Sequence, residues 1–276
     1  MIFRGFFYIG GLGHCGTKWL TAILNRPEHG IACFYKMLDA LETPTENLVE
    51  STHLDLVEQA AHFGIMESVY RPYFTFFQEM GKLLPTGDAH SWPNHLLGHI
   101  LKKLNAQKAI WLVRNGVSQV HSFDTWLDEV SLKSLSDYNQ FVALMRADVE
   151  TFGTPVTVSN DWEALSQFQQ LCWWWSVQAS VVQTINDVWQ GPIHVARFED
   201  LLTSDALPVL VQWVNPMTSV NRDELRGWAN VDINQHTVGL RNPEQIWKSR
   251  WGQNKKSIFE GVCGSTMERF GYPRYG

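Results

Sequence analysis

Residues 6–25 read FFYIGGLGHCGTKWLTAILN, which is an apolar run, a glycine-rich loop and a segment with helical spacing. The apolar residues at positions 19, 20, 23 and 24 share one helical face, and Asn25-Arg26-Pro27 is predicted to end the helix. Strand, glycine loop and helix in this order form the first unit of an α/β fold. Such a loop directs backbone N–H groups inward at the positive end of a helix dipole, so the sequence predicts a cradle for a phosphate or sulfate group.

The loop departs from the pattern of nucleoside triphosphatases, G-x-x-x-x-G-K-[ST]. Gly11 and Gly16 have the right spacing, but Thr17 and Lys18 come in the reverse order and no second hydroxyl follows to hold Mg²⁺. The next strongly apolar run ends in Arg114 rather than in an acidic residue. We therefore predict a phosphate-loop fold without metal-dependent triphosphate chemistry, and we assign no metal ligands.

The rest of the chain alternates between strand and helix patterns. Apolar runs at 109–113 and 193–198 suit parallel strands, and residues 63–67 are a further candidate strand. Helical spacing is predicted over residues 46–62, 73–84, 95–105, 117–127, 131–152 and 161–189. We predict a single α/β domain over residues 1–276, a P-loop-type three-layer sandwich with a central parallel sheet flanked by helices. Residues 221–256 are polar and predict long mobile loops.

Composition and charge narrow the class of protein. The 276 residues are 45% hydrophobic and 18% charged, which is typical of a globular chain. The net charge of −6 provides no overall basic field, so we expect no nucleic-acid partner. The four cysteines form no CxxC pair, which fits reduced thiols. Neither a signal-peptide pattern nor 18 consecutive apolar residues occur, so we expect a cytoplasmic protein without a membrane partner.

Four segments resemble motifs of sulfotransferases that use 3′-phosphoadenosine 5′-phosphosulfate (PAPS). Residues 14–19, HCGTKW, resemble the family's 5′-phosphosulfate loop, whose usual form is P-K-S-G-T-T-W. Residues 114–122 resemble R-[DN]-P-x-D-x-x-x-S and keep its terminal Arg and Ser. Residues 196–201, ARFEDL, are similar to V-R-Y-E-D-L, and 248–251 with 270–273 are similar to the G-R-W and L-G-Y close of bacterial members. The matches occur in family order.

The resemblance implies an enzyme that moves a sulfuryl group in line from PAPS to a hydroxyl or amine of a small-molecule or sugar-like acceptor. It implies that the cofactor is held by Gly13, His14, Cys15, Gly16, Thr17, Lys18, Trp19, Arg114, Ser122, Lys248, Arg250 and Trp251. Of these, Arg114, Ser122 and Arg250 are expected to hold the 3′-phosphate. The resemblance also implies that Trp19 stacks near the adenine, and we expect residues 236–260 to form a mobile cationic lid. No metal is implied, because fixed protein donors neutralise the leaving group.

The catalytic residues stay open between alternatives. The family has Lys or Arg where this loop has His14, and a second Thr where it has Lys18. We favour His14, assisted by Lys18, as the group that stabilises the bridging oxygen when the S–O bond breaks. The general base is predicted to be His90, in a segment similar to the family's K-T-H-L-P. Glu67 and His53 are alternatives.

Two other functions stay open on the sequence alone: a metal-dependent P-loop kinase or phosphotransferase, and a catalytically silent nucleotide-binding relative. Cys15 is expected to fill space in the core, with a reactive thiol at the helix N-terminus as the alternative. The acceptor pocket is expected to be built from residues 28–92 and 128–165, which are rich in aromatic residues and His.

Overall fold

The computed structural model describes residues 5–38, 51, 54–91, 94–153, 162–203, 205–221, 223, 225, 227 and 242–275. Its strands are β1 (Gly5–Gly10), β2 (Ala32–Tyr35), β3 (Pro85–Ala89), β4 (Lys108–Val113) and β5 (Ile193–Arg197). All neighbouring strands pair in parallel, in the order β2-β3-β1-β4-β5. The predicted α/β class, a central parallel sheet flanked by helices, is confirmed.

The helices are α1 (Thr17–Leu24), α2 (Leu56–Gly81), α3 (Leu97–Lys103), α4 (Gly116–Lys133), α5 (Leu135–Phe152), α6 (Gln167–Ser176), α7 (Gln178–Trp189), α8 (Phe198–Thr203), α9 (Ala206–Val214), α10 (Pro243–Ser249) and α11 (Gln253–Arg269). Short 3₁₀ turns lie at Pro27–His29 and Trp162–Ala164. Over the described residues, none of the helices has the length and apolar character needed to cross a membrane.

Side chains alternate along each strand, so apolar residues of the same strand lie on both faces of the sheet, and helices cover both faces. On one face, Phe6 and Tyr8 of β1 and Trp111 of β4 pack with α2 to α7, α10 and α11. On the other, Phe7 and Ile9 of β1 pack with α1, α8 and α9. The arrangement is consistent with three layers, and the strand ends open between the two helical layers.

The strand order creates a switch point at the C-terminal edge of β1. The crossover through α1 leads from β1 outward to β2 on one face, whereas α3 and α4, which follow β3 and β4, pack on the other face. After β1 the chain turns to one face of the sheet, and after the neighbouring strands β3 and β4 it turns to the other face. A crevice remains between these connections, at the position where open α/β sheets bind ligands. The glycine loop and Arg114 lie at this crevice.

Two sequence predictions about the elements are wrong. Residues 63–67 are not a strand but lie inside α2, which also joins the described parts of the two helices predicted on either side. Residues 243–249 and 253–256, predicted as loop, belong to α10 and α11, because Trp247 and Phe259 are buried in the core. Of the predicted lid, residues 236–241 lie outside the described residues.

Candidate functional site

The loop from β1 to α1 depends on two glycines that define its spacing. Gly11 has φ 146°, and a Cβ there would lie 2.5 Å from the carbonyl oxygen of Leu112 in β4. Gly16, the N-cap of α1, has φ 101°, and a Cβ there would lie 2.4 Å from the ring of Phe198. Both positions combine a backbone conformation that favours glycine with contact from a neighbouring element, so the loop is pressed between β4 and α8.

We expect Gly11→Ala and Gly16→Ala each to lower stability by roughly 1–3 kcal/mol or more, because strain and steric overlap act together. Gly64→Ala is the matched control, since its Cβ would meet nothing within 4 Å on the exposed side of α2. That control should gain roughly 0.5–1 kcal/mol from helix propensity. Thermal melts of the three variants measure the difference, and wild-type melting of both loop variants would show that the loop geometry is wrong.

Three successive carbonyls of the loop are bound from one side. Gln119 of α4 donates through Nε2 to Leu12 O at 3.2 Å and to Gly13 O at 2.6 Å. Arg114, which follows β4, donates through Nη1 to His14 O at 3.0 Å. The loop is therefore fixed by hydrogen bonds to β4 and α4, although these residues are about a hundred positions away in the sequence.

His14 packs into an aromatic cluster on α4. Its ring stacks on Phe123, with centroids 4.1 Å apart and planes 9° apart, and meets Trp126 edge-on at 5.4 Å. Its Nδ1 lies 3.0 Å from Ser122 Oγ. Burial, reinforced by the nearby Arg114 cation, lowers the pKa of His14 from 6.5 to about 4, so the imidazole is neutral at pH 7. This does not favour the imidazolium role predicted for His14.

The other loop residues divide between core and surface. Lys18 is exposed on the first turn of α1, whereas Thr17 is buried. Trp19 is also buried, with its ring edge-on to Phe198 at 5.4 Å, so its expected stacking against a nucleotide base does not fit this conformation. Burial raises the pKa of Cys15 to about 12, so the reactive thiol is not supported and Cys15 fills the core.

The segment of the third family match contacts both the second and the fourth. Glu199 accepts from the backbone N–H of Asn115 at 3.0 Å and from the Tyr272 hydroxyl at 2.7 Å. Arg197 pairs with Asp200. Glu199 therefore ties the start of α4 to Tyr272, while Asp200 pairs within its own segment, and both roles are structural.

The described lid residues lie on α10, on α11 and in the link between them. Lys248 and Arg250 are exposed, and Trp251 is buried against Phe168, with ring centroids 5.0 Å apart. Lys255, at the start of α11, forms an ion pair of 2.7 Å with Asp124, two positions after Ser122 on α4. The described part of the predicted lid is thus docked through α10 and α11.

The candidate bases are separated by the structure. His90 follows β3 directly, is buried, and donates its backbone N–H to Ile9 O at 3.0 Å, which places it beside the end of β1. Glu67 instead lies on α2, where its carboxylate pairs with Lys103 of α3. This pairing does not favour Glu67 as the base, and His53 lies outside the described residues.

Sequence reasoning missed a buried carboxyl beside His90. Asp88 of β3 is fully buried, accepts from the Tyr73 hydroxyl and the Met37 backbone N–H, each at 3.3 Å, and has its pKa raised by burial. Its position two residues before His90, the predicted base, was the available signal. Gln119, Phe123 and Trp126 were also missed, although all lie within or just after the second motif.

The described residues show no metal centre. No group of three or more His, Cys, Asp or Glu side chains within them could hold a metal ion. A cavity of about 360 Å³ lies along β5 and is lined by His194, Val195, Ala196, Arg197, Asp200, Leu201, Ala206, Arg269 and Phe270. The crevice at β1 is chemically richer, because it collects the loop, Arg114, Ser122 and His90.

Neither the known protein-family models nor the curated proteins include a match to this chain. Its function is therefore argued from the site itself.

Proposed function

We propose that the protein is a PAPS-dependent sulfotransferase of the P-loop type, acting on a hydroxyl or amine of a small-molecule or sugar-like acceptor. The observation that carries the proposal is the contact between segments distant in sequence. Arg114 and Ser122 both bond His14, and Phe198 contacts the loop at Gly16 and lies 5.8 Å from the Arg114 guanidinium. A single phosphate-loop resemblance would not require these contacts.

Arg114 and Ser122 fit a 3′-phosphate. The Arg114 guanidinium is a planar fork of N–H donors suited to phosphate oxygens, and one of its N–H groups bonds the loop. A neutral His14 protonated at Nδ1 donates to Ser122 Oγ, which leaves the Ser122 hydroxyl proton for a phosphate oxygen. His14 thereby orients Ser122, a role that its neutral, stacked ring supports better than charge stabilisation.

Lys18 is the better candidate for the loop cation. Its ammonium is exposed on the first turn of α1, and a flexible four-carbon stem allows it to reach a group held at the helix N-terminus. In this role Lys18 stabilises the negative charge left on the departing phosphate oxygen. Because protein donors neutralise this negative charge, the proposal requires no metal.

His90 is the proposed general base, because it follows β3 beside the end of β1. When bound, PAPS supplies the sulfuryl group, and its bridging S–O bond breaks as the acceptor oxygen bonds to sulfur. His90 takes the proton of the acceptor hydroxyl, which keeps the attacking oxygen nucleophilic. A cytoplasmic setting, without nucleic-acid or membrane partners, completes the proposal.

Calorimetric titration with 3′-phosphoadenosine 5′-phosphate (PAP) in the absence of metal, run beside ATP with Mg²⁺, tests the proposal. We expect micromolar binding of PAP and much weaker binding of ATP, because Arg114 and Ser122 are assigned to the 3′-phosphate that ATP lacks. A preference for ATP with Mg²⁺ would favour the kinase alternative, and binding of neither would remove the proposal. Tight PAP binding without transfer to any acceptor in a broad panel would favour the silent relative.

A further inference from the structure

We propose that Gln119 is a positioning residue that turns the carbonyls of the glycine loop away from the anion, with Trp175 fixing the orientation of its amide. The inference rests on the proposed function, since the anion is the 5′-phosphosulfate held by the loop. It assigns a role to two residues outside the family resemblance: the corresponding motif leaves position 119 unspecified, and Trp175 lies on α6 in none of the four segments.

The geometry begins with the direction of the loop's dipoles. A carbonyl oxygen repels an anion, whereas a backbone N–H attracts it, so an anion loop must hold its carbonyls on the far side. Gln119 Nε2 takes the carbonyls of Leu12 and Gly13, at 3.2 and 2.6 Å. With Arg114 on the carbonyl of His14, three successive oxygens are bound toward β4 and α4.

Trp175 decides which end of the amide faces the loop. Its indole Nε1 donates to Gln119 Oε1 at 3.0 Å, and an indole nitrogen can only donate. A flipped amide would set its NH₂ group against the indole N–H and its oxygen against two carbonyls, so the observed orientation is the only satisfied one. Gln119 and Trp175 are each 1% exposed, where an unpaired polar group is costly.

Packing holds this pair rigid. Trp175 lies in the core between α4 and α11: a Cβ on Gly116 would meet its ring at 3.0 Å, and the Phe259 ring is 6.4 Å away. The surrounding side chains therefore hold the indole in place. A rigid support of this kind is what a preorganised anion site requires.

Gln119→Met tests the role, because it preserves much of the side-chain volume while removing both donors and the acceptor without burying a charge. Gln170→Met is the matched control: Gln170 is also buried, on α6, and donates to a single carbonyl, that of Trp162, at 3.1 Å. Trp175→Phe removes the indole donor and leaves Gln119 in place. Thermal melts establish that each variant is folded before it is compared.

Two measurements are made on every variant: hydrogen–deuterium exchange of the peptide covering residues 11–18, and calorimetric titration with PAP. For Gln119→Met we expect about tenfold or greater loss of PAP affinity and faster exchange in the loop. Trp175→Phe should show a smaller change in both, and Gln170→Met neither.

Wild-type PAP affinity in Gln119→Met would overturn the inference even if exchange changed, since Gln119 would then only anchor the loop. Losses equal to those of Gln170→Met would also overturn it, because they would reflect a general effect of losing a buried amide. If the wild-type protein does not bind PAP, the proposed function fails separately. Inorganic sulfate then replaces PAP as the probe: weaker sulfate binding and faster loop exchange confined to Gln119→Met support the inference, and unchanged exchange or unchanged sulfate binding in that variant removes it.

Discussion

Replacing Arg114 with alanine is expected to weaken PAP binding by about 100-fold or more. The guanidinium bonds the carbonyl of His14 at 3.0 Å and, in the proposed function, also holds the 3′-phosphate. The variant loses a charge-assisted contact to the ligand together with a restraint on the loop, so the effect should exceed that of removing a surface charge. Calorimetric titration with PAP at constant ionic strength measures it.

Two further variants separate charge from geometry. Arg114→Lys keeps the charge but not the planar fork, so an affinity about tenfold below wild type is expected. Arg197→Ala is the matched control, because Arg197 also stands at a strand end, on neighbouring β5, but is paired with Asp200. It should bind PAP within about twofold of wild type. Wild-type affinity in Arg114→Ala would show that the 3′-phosphate is held elsewhere.

The strands that the sequence predicts differ from the strand β3, which it does not predict, in what buries them. β1, β4 and β5 contain apolar runs that predict strands directly. β3 reads Pro-Thr-Gly-Asp-Ala and carries no such pattern. It is buried because the Phe7 ring packs where a Gly87 side chain would be, 2.4 Å from its Cβ position, and because Tyr73 and Met37 bond Asp88. Those contacts come from other elements, so the local pattern could not contain them.

The long helix α2 shows the opposite error. Residues 63–67 contain three apolar residues in five, a pattern that predicts a strand, and Pro72 lies a short distance further on. In the structure, Phe63, Tyr70 and Phe77 are all buried on the side facing the sheet, which is a helical repeat over a longer span. The short window favoured a strand because helical periodicity needs several turns to become visible.

Motif spacing predicted which segments come together at the crevice, and the structure adds the state of their side chains. The spacing brought the loop, Arg114 and Ser122 into one hypothesis, and these residues do lie in contact. The neutral state of His14 follows from its stacking on Phe123 and from burial, which depend on how α4 lies against the loop. The charge of a histidine in a motif therefore cannot be predicted until the neighbours of its ring are known.

Asp148 is expected to make stability fall between about pH 4 and pH 7. The carboxyl is buried on α5, and although Trp174 Nε1 donates to its Oδ2 at 2.8 Å, burial raises the pKa of Asp148 from 3.8 to about 7. Between these values the folded chain keeps a proton that the unfolded chain has lost, so stability decreases as the pH rises. Above pH 7 the loss levels off at about 4 kcal/mol, an order of magnitude that follows from the size of the shift.

Asp148→Asn should remove this dependence, because the amide stays neutral and retains an oxygen for Trp174. We expect the variant to match the wild type near pH 4 and to exceed it at pH 8 by several degrees in melting temperature. The difference between the two proteins is the quantity to plot. Two other groups also make stability depend on pH. The lowered pKa of His14 gives the opposite slope below pH 6.5, and the raised pKa of Asp88 gives the same slope as Asp148. Both groups are present in the wild type and in the variant, so they cancel in the difference.

The exposed Asp187 supplies the control, since Asp187→Asn changes the same charge on the surface of α7. Its melting curve should run parallel to the wild type from pH 4 to pH 8. If Asp148→Asn also runs parallel, the carboxyl does not titrate in this range and its burial does not oppose folding. If only Asp148→Asn diverges, the protein carries a buried acid that lowers its stability. This acid is connected to the site through Trp174, which bonds Asp148 and contacts the Phe123 ring on which His14 stacks.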